Sequence, residues 1–173
     1  MPSKLEKVIA ALKYLGLRPD INQYASRFIV QKIAFLAQAL GMEIGYYFSI
    51  YVAGPYSREL TCDYYNEPER VNSLETNYVL TEEDNRILDK IRACCSFEEA
   101  FLMECTSTIV YFLKENPNLT DGELFEKTRL LKSYLSEYIC ITSLTKAKEL
   151  LFEPTYLTED LRRELEQWDE IDD

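Results

Sequence analysis

The chain contains no histidine. That absence removes Ser-His and Cys-His nucleophile–base pairs, imidazole acid–base chemistry and every metal site built on imidazole nitrogen. Glycine is scarce, with 5 Gly in 173 residues, and no GxGxxG, Walker or GxSxG loop occurs. No uninterrupted apolar run approaches the roughly 20 residues of a membrane span, and the N-terminus reads as an amphipathic helix without a signal-peptide core. Cysteines of metal-binding spacing are missing too. Cys62, Cys94, Cys95, Cys105 and Cys140 are an odd number without a CxxC, and adjacent Cys94 and Cys95 on a helix would project about 100° apart. They read as reduced core residues of a cytoplasmic protein. The carboxylate pairs Asp63 with Glu67 and Glu82 with Glu83 stand in solvated acidic runs, where nothing would separate their pKa values. No catalytic residue, metal ligand or cofactor is therefore expected.

Basic charge is in short supply. Nineteen Lys and Arg face thirty Asp and Glu, a net of −11. Residues 1–70 hold eight basic and seven acidic side chains, whereas residues 71–173 hold eleven and twenty-three. An acidic C-terminal part would be repelled by a nucleic-acid backbone, which disfavours DNA or RNA as a partner and suits a basic protein. What is abundant is apolar surface: 47% of residues are hydrophobic and 13% aromatic, enough for one folded domain of this length.

The apolar period is mostly helical. Ser3-Lys4-Leu5-Glu6 is a capping box ahead of Leu5, Val8, Ile9, Leu12 and Leu15, with Gly16 as a stop. Asn22 is a candidate cap for a second, unusually apolar helix running to Leu40, placed at the centre of the domain. Its polar residues, Gln23, Arg27, Gln31, Lys32 and Gln38, fall mainly on one stripe, of which Gln23, Arg27 and Gln31 are suited to satisfying buried backbone groups or, on a recognition helix, to reading base edges. Alternation from Tyr46 to Val52 predicts a strand ended by Gly54-Pro55, with Tyr78-Val79-Leu80 as its partner. Ser57 should cap a short helix broken near Pro68. Further helices should start at Thr81, at the Ser96-Phe97-Glu98-Glu99 box with Phe101 inward, at Thr120 and at Ser136. The expected fold class is mainly α, with a small two-stranded β-hairpin and a winged-helix-like N-terminal part. Residues 1–152 form the domain. Residues 153–173, with nine acids and two arginines, form an acidic C-terminal helix capped by Thr158, carrying Leu161, Leu165 and Trp168, and docked here or on a partner.

One ordered block is more specific: Val30-Gln31-Lys32-Ile33-Ala34-Phe35, then Gly41, then Tyr46-Tyr47-Phe48 to Tyr51, then Val52-Ala53-Gly54-Pro55-Tyr56-Ser57. It resembles the Panacea antitoxin domain (the SocA-like group) and the related YwgA-like proteins over residues 5–70. Those proteins share a Gln-Lys core helix, an aromatic strand and a Gly-Pro-x-Ser turn into the next helix. Val52-Ala53 replace the aromatic-Tyr pair usual before Gly-Pro in Panacea. The resemblance implies a mostly helical domain that counteracts toxins or serves as an adaptor in stress and phage-defence systems, and it brings no catalytic residues.

Tyrosine is concentrated in the same block, and tyrosine suits interfaces because it gives large contact area with few rotors. Tyr46, Tyr47, Tyr51, Tyr56, Tyr64 and Tyr65, with Arg58 and the distant Trp168, are the candidate partner-binding residues. The functional expectation is a non-catalytic interaction module that occludes a basic toxin or effector. The alternatives are a winged-helix DNA-binding regulator, whose phosphate contacts would come from Lys4, Lys7, Lys13, Arg18, Arg27, Lys32 and Arg58, and a subunit of a larger assembly or homodimer.

Overall fold

The computed structural model describes residues 1–152, 163–164 and 166–168. Helices α1 (Lys4–Tyr14) and α2 (Tyr24–Ala39) lead into a hairpin of β1 (Ser49–Tyr51) and β2 (Gly54–Tyr56). Helices α3 (Arg58–Asn66), α4 (Pro68–Asn72), α5 (Glu82–Cys94), α6 (Ala100–Glu115), α7 (Asp121–Leu131) and α8 (Glu137–Leu151) follow. The fold is mainly α with one two-stranded antiparallel sheet.

Most helix starts follow from their capping chemistry. Ser3 with Glu6, Thr81 with Asp84 and Thr120 with Glu123 form reciprocal capping boxes, and Ser57 and Ser136 accept from the third N–H of their helices. Two starts differ from expectation. The residue before α2 is Gln23, which makes no side-chain cap, while Asn22 donates its N–H to Asp20 Oδ1. Helix α6 begins at Ala100 behind an uncapped Glu99, and Ser96 contributes only its carbonyl, to the Glu99 N–H. With that register Leu102, Cys105, Ile109 and Leu113 turn inward, while Phe101 faces out and meets the Tyr134 ring.

The central helix is α6 rather than α2. It packs against α2, α7, α8 and β2, and its buried residues run from Leu102 to Val110 without a break. Helix α2 is buried continuously only from Val30 to Ala37, and its first turn and a half stays open. One contiguous core links α1, α2, α5, α6, α7 and α8 and takes in the buried Met42, Ile44, Tyr46 and Phe48.

The strand expected over Tyr46–Val52 is half a strand. Side chains alternate in and out from Gly41 to Phe48, but the only ladder among the described residues pairs Ser49 with Tyr56, Ile50 with Pro55 and Tyr51 with Gly54. Ahead of it the Gln38 side chain replaces a neighbouring strand. Its Oε1 accepts from the Gly45 and Tyr46 N–H groups at 3.0 and 2.9 Å, and its Nε2 donates to the Tyr46 carbonyl. Gly54-Pro55 thus belongs to the second strand instead of ending the first, and Tyr78-Val79-Leu80 is not its partner. That segment is tied to α1 and α5 by Thr76 Oγ1 donating to the Glu6 carbonyl and by the Tyr78 hydroxyl donating to Asp84. The expected caps and contacts of Thr158, Leu161 and Leu165 lie outside the described residues.

Candidate functional site

The two segments of the motif block, far apart on the chain, are bonded to each other. Gln31 on α2 clasps Ser57 like a backbone partner, its Oε1 accepting from Ser57 N–H at 2.9 Å and its Nε2 donating to Ser57 carbonyl at 3.0 Å. One turn position on, Lys32 Nζ donates to the Pro55 carbonyl at 2.8 Å. For Gln31 this is the backbone-satisfying role expected of the polar stripe. It fixes the end of β2 and the start of α3 against α2.

The tip of the hairpin is held from the other side by a buried ion pair. Lys132 Nζ lies 3.1 Å from Glu104 Oε1 and also donates to the Val52 carbonyl; the Tyr134 hydroxyl donates to the same carboxylate at 2.6 Å. Lys132 is wholly buried and Glu104 nearly so, so each charge needs the other. The Glu104 carbonyl in turn accepts from Ser107 and Thr108 hydroxyls. Burial pushes the Tyr134 hydroxyl above its ordinary pKa, and the bond to Glu104 adds to that shift. Burial lowers Lys32 to about 7, with Glu104 opposing and Lys132 reinforcing the shift.

Two clefts flank the pinned hairpin and share Tyr24, Phe28 and Ala53 as their common wall. The first, of about 550 Å³, lies between the open start of α2, the hairpin and α3. Its walls include Tyr51, Tyr56, Tyr64 and Tyr65, its cations are Arg27, Lys32 and Arg58, and no carboxylate among the described residues lines it. The second, of about 560 Å³, lies between α2 and the start of α6 and is largely apolar, with Ile29, Phe97, Phe101 and Ala100 beside Glu98 and Glu104. Around the tip, Val52 is 79% exposed, and Phe101 and Tyr134 are exposed and in ring contact at 6.3 Å.

Tyr51, Tyr56, Arg58, Tyr64 and Tyr65 therefore meet in one place, as grouped from the sequence. Three of that group do not join them. Tyr46 is 3% exposed and serves the core, with its hydroxyl donating to Asp63; burial first, and that bond second, raise its pKa. Tyr47 is exposed but lines neither cleft. Trp168 is 62% exposed, and its indole N–H donates to Glu164 on its own helix. Tyr24, Phe28 and Thr61 were not singled out from the sequence. Tyr24, Arg27, Phe28, Gln31 and Lys32 share a helical stripe, as do Arg58, Thr61, Tyr64 and Tyr65; spacing marks each stripe, but not that the two face each other.

Of the cations considered for a DNA-binding face, Arg27, Lys32 and Arg58 come together. Lys4 pairs with Glu59, and Lys7 donates to the Glu43 carbonyl. Cys94, Cys105 and Cys140 are buried and Cys95 is half-buried; Cys62 is exposed. No helix among the described residues is long and apolar enough to cross a membrane. No protein-family description, no curated protein and no solved structure matches the chain.

Proposed function

We propose that this chain is a non-catalytic interaction module, antitoxin- or adaptor-like in the sense of the Panacea and YwgA-like proteins it resembles. It would act in the cytoplasm by covering a toxin or effector protein in a stress or phage-defence system. The observation that carries this reading is the hairpin tip: Val52, Phe101 and Tyr134 are exposed together beside an apolar cleft, on a turn held in place by a buried ion pair. Contiguous exposed apolar and aromatic surface on a rigid support is what a protein interface needs. Glu98 in the apolar cleft and the net charge of −11 favour a basic partner, steered by long-range attraction.

The test is capture of the tagged protein's partner from its own host at low and high salt, from lysates with and without nuclease treatment. A single protein retained stoichiometrically in both lysates, weakened by salt, and lost with Val52→Asp or Phe101→Ala at unchanged melting temperature is the expected result. Recovery of DNA, with partners lost after nuclease, would replace the module by a winged-helix regulator. Retention of the partner by both variants would remove the hairpin tip from the interface.

A further inference from the structure

The cation-lined cleft is not explained by a basic protein partner. It is a positively charged hollow in a strongly acidic chain, and among the described residues no carboxylate in its lining balances Arg27, Lys32 and Arg58. Glu104, the acid whose charge acts on Lys32, is already matched by Lys132 at 3.1 Å, so it does not neutralise Lys32 as well. Arg58 stands exposed at the start of α3 and makes no ion pair or hydrogen bond among the described residues.

Hydrogen-bond capacity on the floor is also weighted to donors. Thr61 Oγ1 receives Gln31 Nε2 at 2.9 Å and has the Tyr56 and Tyr64 hydroxyls at 2.6 and 3.2 Å. Thr61 donates its own proton to the Tyr56 oxygen, so the Tyr56 O–H finds no acceptor within this group. The walls are aromatic on opposite sides. Tyr51 stacks edge-on against Tyr56 at 5.0 Å on the hairpin, and the Arg27 guanidinium lies 5.9 and 5.8 Å from the Tyr24 and Tyr65 rings on the helical side. Cations and phenolic donors select an anion; aromatic side chains on two sides of the cleft offer stacking surface to a flat ring. The volume of about 550 Å³ falls in the range that encloses small-molecule ligands.

We propose that this cleft is a binding site for a small anion carrying a planar ring, of the mononucleotide class, with the phosphate toward Arg58 and Lys32 and the base between the tyrosine walls. The site is separate from the hairpin-tip interface, touching it only through the shared wall of Tyr24, Phe28 and Ala53. A phosphate beside Lys32 would hold that ammonium charged, so binding should take up protons around neutral pH.

The experiment is calorimetric titration of the full chain with each of the four ribonucleoside 5′-monophosphates, with the matching nucleosides and inorganic phosphate as separate arms. Saturable binding of at least one monophosphate is expected, roughly tenfold or more tighter than its nucleoside or phosphate alone. Arg58→Ala and Tyr65→Ala should each weaken it by a similar factor, and Tyr47→Ala, outside the cleft, should leave it unchanged. Absence of saturable binding at millimolar monophosphate overturns the proposal. So does phosphate binding as tightly as the nucleotides, or affinity that survives both cleft variants. The readout needs no protein partner, so it stands or falls independently of the interaction module.

Discussion

Gly54 adopts φ +98°, a conformation that residues with a Cβ rarely enter, and a Cβ there would sit 3.0 Å from Thr108 Oγ1 and 3.2 Å from Lys32 Nζ. Gly54→Ala should therefore cost about 1–3 kcal/mol in denaturant unfolding, with loosening at the hairpin and α6 together. Gln31 makes three hydrogen bonds in the interior, two of them to one backbone unit. Gln31→Leu would leave the buried Ser57 N–H unpaired, while the Ser57 carbonyl keeps the Thr61 N–H, an expected loss of about 1–3 kcal/mol by the same measurement. Lys32 titrates near 7 when folded because of burial, and near its ordinary value when unfolded. Between those values the unfolded chain binds more protons, so stability attached to Lys32 rises with pH and the burial cost is fully present only below about 7. Wild type should gain stability from pH 7 to 9 relative to Lys32→Met, with a slope difference of at most about 1.4 kcal/mol per pH unit. Parallel pH profiles for the two proteins would show that Lys32 stays charged. The role of Gln31 as a backbone holder was legible from its place on an otherwise apolar helix; that Lys32 shares it, and that both partners lie more than twenty residues away, was not.

At the scale of elements, helix starts were the most readable feature because a cap is a local contact between residues three apart. Thr120 illustrates the limit of the inference in the other direction: its box with Glu123 is exposed, so Thr120→Ala should cost about 1 kcal/mol and no more, read as a small drop in melting temperature. The hairpin partner was misread for an equally physical reason. Strand pairing is fixed by non-local backbone bonds, and Tyr78-Val79-Leu80 has the right composition for a strand while its Tyr78 N–H is taken by the Thr76 hydroxyl and its Tyr78 side chain by Asp84. The true pairing runs through a two-residue turn at Val52-Ala53, where a following Gly-Pro looks like a stop. Gln38 conceals the difference further, since it satisfies the Gly45–Tyr46 backbone with a side chain and lets an alternating pattern exist without a ladder.

For the whole molecule, the described core is contained within residues 5–151, and the acidic segment after Phe152 carries much of the net charge. A chain ending at Phe152 loses nine acids and two arginines, moving the net charge from −11 to −4. It should still unfold cooperatively, with far-UV and near-UV signals lost together, while partner capture becomes less salt-sensitive. Separate transitions for the two signals would mean that the segment completes the core.

The sequence by itself determined that this is one mainly helical chain with a β-hairpin, where most of its helices begin, and which chemistries its composition leaves out. These follow from contacts within a turn or two and from residue counts. Only the tertiary structure decided that α6 is the central helix, that the hairpin is pinned between Lys32 and the Lys132–Glu104 pair, and that Tyr51, Tyr56, Arg58, Tyr64 and Tyr65 face Tyr24 and Arg27 across a cleft while Tyr46 is buried. Those outcomes rest on close packing and on the pairing of buried charges between distant segments, and neither is encoded in the spacing of neighbours along the chain.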